Sequence, residues 1–235
     1  MNDETTMKIG AVLFDLDYTL WDHGRAQEKA IHTLCDSYSI DFQAFYPHYV
    51  RFNWEVWSDY ARGKLSLEKM RIVRFEKAFR AIGASECSPD LWSREYLVLY
   101  RKSIFLVEGA VEILRILKPR YTIGIITNGT LDTQTFKVNQ SPLRDYLDFM
   151  VTVDDAGCSK PERAFFEKAF LTAGFPREKI ACVGDHYHED IVGAKKAGAG
   201  TVVWFNPGGE QLPDNAEILP DYIISRLEEL PPRLC

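Results

Sequence analysis

Short, uninterrupted apolar runs recur along the chain, each followed by a polar or glycine-containing turn. They are "IGAVLF" (9–14), "YTIGIIT" (121–127), "DFMVTV" (148–153), "KIACVG" (179–184) and "GTVVWF" (200–205). Runs this short, rich in Val and Ile, predict strands buried on both faces. Between the later runs lie helix-like segments at 109–118, 130–140, 161–173 and 188–197. Strand and helix alternating in this way predict an α/β fold, a parallel sheet with helices on both faces.

Residues 21–103 break the alternation, with no strand-like run. Phe42, Phe45, Tyr46, Tyr49 and Phe52 recur at intervals of three and four, a helical stripe. Residues 64–83 read as an amphipathic helix closed by Gly83. In "SPDLWSREYLVLYR", Ser88 is the expected N-cap and Pro89 the first helical residue. The predicted organisation is an α/β core domain from 1–20 and 104–235, interrupted after its first strand by an all-helical domain at 21–103. Half of the aromatic residues fall in this block. A stacking surface for an aromatic ligand is one reading. The helical spacing favours the other, a small domain building its core from bulky side chains.

Composition narrows the function classes. With 235 residues, 46% hydrophobic and 26% charged, the chain is typical of a soluble globular protein. A net charge of -6 argues against nucleic acid or a membrane surface as partner, both of which favour a basic face. No apolar run is long enough to span a bilayer. The start, "MNDETTMK", is too polar for a signal peptide. Cys35, Cys87, Cys158, Cys182 and Cys235 are scattered and odd in number, which suggests neither a zinc site nor a disulfide framework. The expected compartment is reducing and cytoplasmic, and the expected state is monomer or homodimer.

The candidate chemistry lies after the strands. Asp15, Asp17 and Thr19 follow the first; Thr127, Asn128 and Gly129 the second; Ser159, Lys160 and Pro161 come after the third; Asp185, Glu189 and Asp190 follow the fourth. In open parallel sheets, ligands bind beyond the carboxyl ends of the strands. Clustered carboxylates repel one another unless a cation balances them, and Mg²⁺ suits an all-oxygen site beside phosphate. Lys160 offers a point charge to phosphate oxygens, Thr127 and Asn128 offer hydrogen bonds, and an Asp carboxylate can act as nucleophile.

"FDLDYTL", "IITNG", "SKPERAFF" and "VGDHYHEDIVGAKKAG" resemble the four ordered motifs of the haloacid dehalogenase-like hydrolase superfamily. The resemblance covers residues 8–20 and about 104–205, and the helical block stands where one subfamily inserts a helical cap. It implies a Rossmann-like core and a phosphatase, nucleotidase-like in kind. Asp15 would be the nucleophile, and Asp17 the acid for the leaving alcohol and then the base for water. Thr127 and Asn128 would hold the phosphoryl group, and Lys160 would neutralise charge. Mg²⁺ would be bound by Asp15, the backbone carbonyl of Asp17, and Asp185, with Asp190 completing or supporting the shell. The implied substrate is a small phosphorylated metabolite, a nucleoside monophosphate or a sugar phosphate. Specificity would lie in the cap, hinged near Leu20–Gly24 and Ser103–Glu108.

Other readings of the same residues remain open at this point. A phosphomutase would keep Asp17. A haloacid dehalogenase or a phosphonate-cleaving member would carry another residue there, and a non-catalytic binding protein would lack part of the motif set. "DHYHED", with His186 and His188, can be read as a transition-metal site, and Cys158 as a thiol nucleophile. Arg62 and Lys64 in "ARGKLS" can be read as a cap loop meeting a substrate anion, or as solvated charges in a helix–helix turn. The sequence departs from the family pattern at two places: Tyr18, where Gly is frequent, and Glu162–Arg163 after "KP", where Asp-Pro is frequent.

Overall fold

The computed structural model describes residues 9–84 and 86–234. The chain divides into two units, one formed by the residues through Asp22 and from Phe105 onward, the other by His23–Ile104. The first unit is built on a six-stranded sheet in the order β3-β2-β1-β4-β5-β6, every neighbouring pair parallel. Its strands are β1 (Ala11–Phe14), β2 (Thr122–Ile126), β3 (Phe149–Val151), β4 (Ile180–Gly184), β5 (Thr201–Phe205) and β6 (Tyr222–Ile224). The first five coincide with the apolar runs. The sixth is only three residues long, at the sheet edge, with Tyr222 and Ile223 exposed. Too little of β6 is buried to leave a hydrophobic pattern in the sequence.

Every residue of β1 is fully buried, which is why "AVLF" does not alternate with polar residues. Burying each large side chain there contributes roughly 1.5–3 kcal/mol. The helices of this unit are α5 (Ala110–Leu117), α6 (Leu131–Asn139), the short α7 (Val153–Ala156), α8 (Arg163–Ala173) and α9 (Gly193–Ala197). Phe165, Phe166, Ala169 and Phe170 of α8 and Ala194 of α9 join Leu13, Ile180, Cys182 and Val202 in one core cluster. Tyr187–Val192, predicted as the first part of an α-helix, winds as a π-helix before α9.

The second unit holds four helices, α1 (His23–Tyr38), α2 (Phe42–Ala61), α3 (Leu67–Ile82) and α4 (Pro89–Lys102). Ser88 caps α4 by accepting from the Leu91 amide, and Gly83 closes α3 in the left-handed conformation at φ 75°. Phe79 packs edge to face with Trp92, centroids 4.9 Å apart, and Phe45 lies tilted against Trp92 at 5.2 Å. Tyr49, Phe75 and Tyr96 extend the stack. The aromatic surplus is therefore mainly core. Lys64 pairs with Asp59, and the Arg62 guanidinium donates to the Ser58 hydroxyl, so the α2–α3 turn carries locally paired, solvated charges.

Candidate active site

β1 stands at the centre of the sheet, and its order reverses there: β2 lies on one side and β4 on the other. Loops leaving adjacent strand ends part at such a point and leave a crevice. The Asp15 amide donates to Val183 of β4 at 2.8 Å, so the first carboxylate projects as the strand ends. Downstream, the Leu16 carbonyl accepts from both Leu20 and Trp21, and the Tyr18 amide donates to Trp21. This tight turn sets Asp17 beside Asp15. The turn runs through Tyr18 at φ 67°, a conformation suited to Gly.

Lys160 reaches this point from the loop before α8. Its ammonium donates to Asp15 Oδ1 at 2.6 Å, Asp190 Oδ1 at 2.5 Å and the Ile126 carbonyl at 3.1 Å. Burial works against its charge, but Asp15 and Asp190 outweigh burial and hold its pKa above the ordinary value. Asp15 is pushed up to about 7, chiefly by burial, with Lys160 opposing and Asp190 adding to the rise. Asp185 is pushed up to about 9 by burial, then by Asp15 and Asp190.

The carboxylates of Asp15, Asp185 and Asp190 offer oxygens within 4.8 Å of one another. One buried ammonium does not balance three carboxylates, so the donor set fits a hard divalent cation. Thr19 supports the cluster by donating to Asp185 Oδ1 at 3.3 Å. Asp190 differs from the other two: Oδ1 accepts from Lys160 and Oδ2 from the His186 amide at 3.0 Å. It supports the cluster more than it presents an open oxygen. Gly184 is required for its approach, since a Cβ there would run into the Asp190 carboxyl group.

Thr127 directly follows β2 and is fully buried. Its hydroxyl oxygen accepts from the Gly129 amide at 3.1 Å and from Gln134 Nε2 at 2.8 Å. With both acceptor positions engaged, its own proton is available to a ligand oxygen. Asn128 is arranged differently from the sequence expectation. Its side chain accepts from the Lys160 amide at 2.7 Å, and donates to the Lys160 carbonyl at 3.1 Å and Glu189 at 2.8 Å. It ties three loops together, with both protons of its side-chain amide engaged by Lys160 and Glu189. Glu189 is likewise a structural partner.

Asp17 has partners that the sequence did not reveal. Lys137 and Gln134, both on α6, donate to its two oxygens at 2.6 and 2.9 Å. Their positions within an ordinary amphipathic helix gave no signal. The glycine of "TNG" was the available hint: a Cβ on Gly129 would collide with the Gln134 amide.

The competing readings can be placed as well. Neither His186 nor His188 belongs to the carboxylate cluster. His186 Nδ1 caps the π-helix by accepting from the Glu189 amide at 3.1 Å. The Cys158 thiol is shifted upward by burial and Glu162, the wrong direction for a thiolate nucleophile. Among the described residues, no helix is long and apolar enough to cross a membrane.

Comparison with known proteins agrees with this arrangement. A family model for haloacid dehalogenase-like hydrolases matches residues 9–198. The chain is 29% identical to the pyrimidine 5′-nucleotidase YjjG of Escherichia coli, over 97% of this chain and 99% of that one. It is 31% identical to the pyrimidine 5′-nucleotidase PynA of Streptococcus pneumoniae, over 93% and 92%. Among solved structures, the magnesium-bound putative HAD-hydrolase YfnB of Bacillus subtilis superposes with a TM-score of 0.85 at 27% identity, covering 97% of this chain and 99% of that one. With the four motifs gathered at the carboxyl ends of the sheet and the family model spanning most of its length, the chain belongs to the haloacid dehalogenase-like hydrolases.

Proposed function

We propose that this hydrolase is a Mg²⁺-dependent phosphatase that cleaves small phosphate monoesters through an aspartyl-phosphate. The observation that carries this reading is the pair Asp15–Asp17. Asp15 has one oxygen tied to Lys160 and the other, among the described residues, without a hydrogen-bond partner, and a second carboxylate stands two residues on, held by its own donors. An alkyl-halide hydrolase needs the first carboxylate but no acid for an alcohol leaving group.

In the first step the unpaired oxygen of Asp15 forms a bond to phosphorus as the ester P–O bond breaks, and the proton of Asp17 passes to the leaving oxygen. In the second, water forms a P–O bond as the Asp15–phosphorus bond breaks, and Asp17 takes the water's proton. Lys160 stays charged throughout and offsets the negative charge on Asp15. The Thr127 hydroxyl donates to a phosphoryl oxygen. Asp15 and Asp185, with the backbone carbonyl of Asp17, would hold Mg²⁺, and Asp190 would support them. The bound ion would neutralise charge shared by nucleophile and phosphate.

The identity with two relatives named pyrimidine 5′-nucleotidases makes nucleoside 5′-monophosphates the first substrates to test, with sugar phosphates beside them. The test is phosphate release from a panel of alkyl and aryl phosphates with and without Mg²⁺. We expect Mg²⁺-dependent release, abolished by Asp15→Asn. No release from any member, or transfer of the phosphoryl group to a second sugar hydroxyl, would overturn the phosphatase reading.

A further inference from the structure

Among the described residues, two lysines are almost wholly buried: Lys160 and Lys137. Lysine is seldom buried unless paired, and each of these is paired with one carboxylate of the first motif. Lys160 holds Asp15. Lys137, its side chain 2% exposed, donates to Asp17 Oδ1 at 2.6 Å. We propose that Lys137, together with Gln134, is the positioning device for Asp17: α6 clamps both oxygens of the acid–base carboxylate and so fixes where the proton is handed over. This inference rests on the reading of Asp17 as the acid and base of the proposed reaction.

Three observations carry it. First, the two donors take different oxygens. Lys137 takes Oδ1 and Gln134 Nε2 takes Oδ2 at 2.9 Å. An aspartate in a loop turns about two side-chain torsions, and donors on both oxygens fix both. Second, Gln134 also donates to the Thr127 hydroxyl at 2.8 Å. One side chain therefore sets the spacing between the acid and the proposed phosphoryl donor. Third, Asp17 does not need the pair for its own solvation. The Asp17 side chain is 25% exposed and would be hydrated without help. The costly member is Lys137, whose ammonium lies 5.5 Å from the centre of the buried Trp21 ring. A methionine would fill the same channel without desolvating a charge. The lysine makes physical sense through what it does to Asp17.

The leaving group separates this role from a structural one. p-Nitrophenolate departs without a proton, whereas an alkoxide needs one. A misplaced Asp17 therefore harms kcat/KM for an alkyl phosphate far more than for p-nitrophenyl phosphate, and loss of folded protein lowers both alike. The experiment compares wild type, Lys137→Met and Asp17→Asn on p-nitrophenyl phosphate and on an alkyl phosphate (uridine 5′-monophosphate, or whichever panel member is turned over fastest). For Lys137→Met we expect alkyl-phosphate kcat/KM to fall on the order of 10²-fold, the usual cost of misplacing a catalytic group. The p-nitrophenyl value should fall several-fold at most, and adding Lys137→Met to Asp17→Asn should cost nothing further. Equal losses on both substrates, or no loss, would overturn the positioning role. Full alkyl-phosphate activity in Asp17→Asn would instead overturn the acid–base reading beneath it. Should Lys137→Met not fold, Lys137→Gln, which removes the ammonium from Asp17 Oδ1 and leaves Gln134 and Thr127 untouched, carries the same comparison with the same expectations.

Discussion

The two units bury charge in opposite ways. In the helical unit Arg74 is buried and, among the described residues, pairs with no carboxylate. Its guanidinium donates to Asn53 Oδ1 at 3.0 Å and to the Arg71 carbonyl at 3.2 Å, and lies over the rings of Tyr96, Phe75 and Tyr49 at 4.6, 5.2 and 5.8 Å. Its charge is spread over neutral dipoles and ring faces. In the α/β unit Lys160 meets two full carboxylates, and a third stands within reach. There the charges are opposed, concentrated and out of balance, leaving a negative excess. A charge buried for packing can be dispersed; charges that must meet a phosphate and a cation are kept concentrated, at a cost in stability.

The largest effect should come from removing the proposed nucleophile. Asp15→Asn is expected to lower kcat by at least about 10³-fold, as loss of a nucleophile does in covalent enzymes. Its unfolding midpoint should hold or rise, because the change removes one of three repelling carboxylates. A steady-state assay beside a thermal melt checks both, and an active or strongly destabilised variant would contradict the contrast with the helical unit.

Next is the cation itself. Lys160→Met strands Asp15 and Asp190, both buried, and should destabilise the metal-free protein by about 3–5 kcal/mol in denaturant titration. Arg74→Met takes a donor only from neutral acceptors, Asn53 Oδ1 and the Arg71 carbonyl, and should cost about 1–2 kcal/mol. Equal losses would mean that the two units bury charge in the same way.

The contrast also explains what the sequence revealed. The strands were legible because β1 and β4 are buried on both faces and leave unbroken apolar runs. The carboxylates were legible because each follows such a run. Asn128 was legible as a residue but not in its contacts, because its partners, Lys160 and Glu189, come from loops far along the chain. Lys137 and Gln134 were invisible for a related reason. They sit one helical turn apart on α6, where Lys and Gln ordinarily face water, and only the fold turns that face onto Asp17. The edge strand β6 was invisible because it is short and half solvated.

The excess negative charge gives the α/β unit a pH dependence that Arg74 cannot supply. Asp15 and Asp185 rise from 3.8 to about 7 and about 9 in the folded protein. A carboxyl group that binds its proton more tightly when folded contributes its full stability below the unfolded value, and loses it as pH rises through the folded one. With a chelator present, the unfolding midpoint should therefore fall from about pH 4 upward, more steeply up to about pH 7 and less so from there to about pH 9. Saturating Mg²⁺ binds the folded, deprotonated cluster and should flatten that slope. A midpoint independent of pH without metal would mean that the carboxylates are not strained.

The smallest effect concerns backbone strain, which each unit carries at one non-glycine residue among those described. Tyr18 has φ 67°, beside Asp17, and Ser39 has φ 54°, between α1 and α2. The left-handed region costs an L-residue about 1–2 kcal/mol, and glycine's freedom in the unfolded chain returns about 0.4–1 kcal/mol of the gain. Tyr18→Gly and Ser39→Gly should each stabilise by at most about 1 kcal/mol, read from the denaturant midpoint. They should differ in function. Tyr18 is 47% exposed, and its amide bond to the Trp21 carbonyl shapes the turn that presents Asp17. Tyr18→Gly loosens that turn and should lower kcat severalfold while raising stability. Ser39→Gly lies in a connection with no proposed catalytic group and should leave kcat unchanged. If both variants gain stability and neither loses rate, the strain at Tyr18 is no more than a local cost of the turn, and the clamp from α6 alone is enough to hold Asp17.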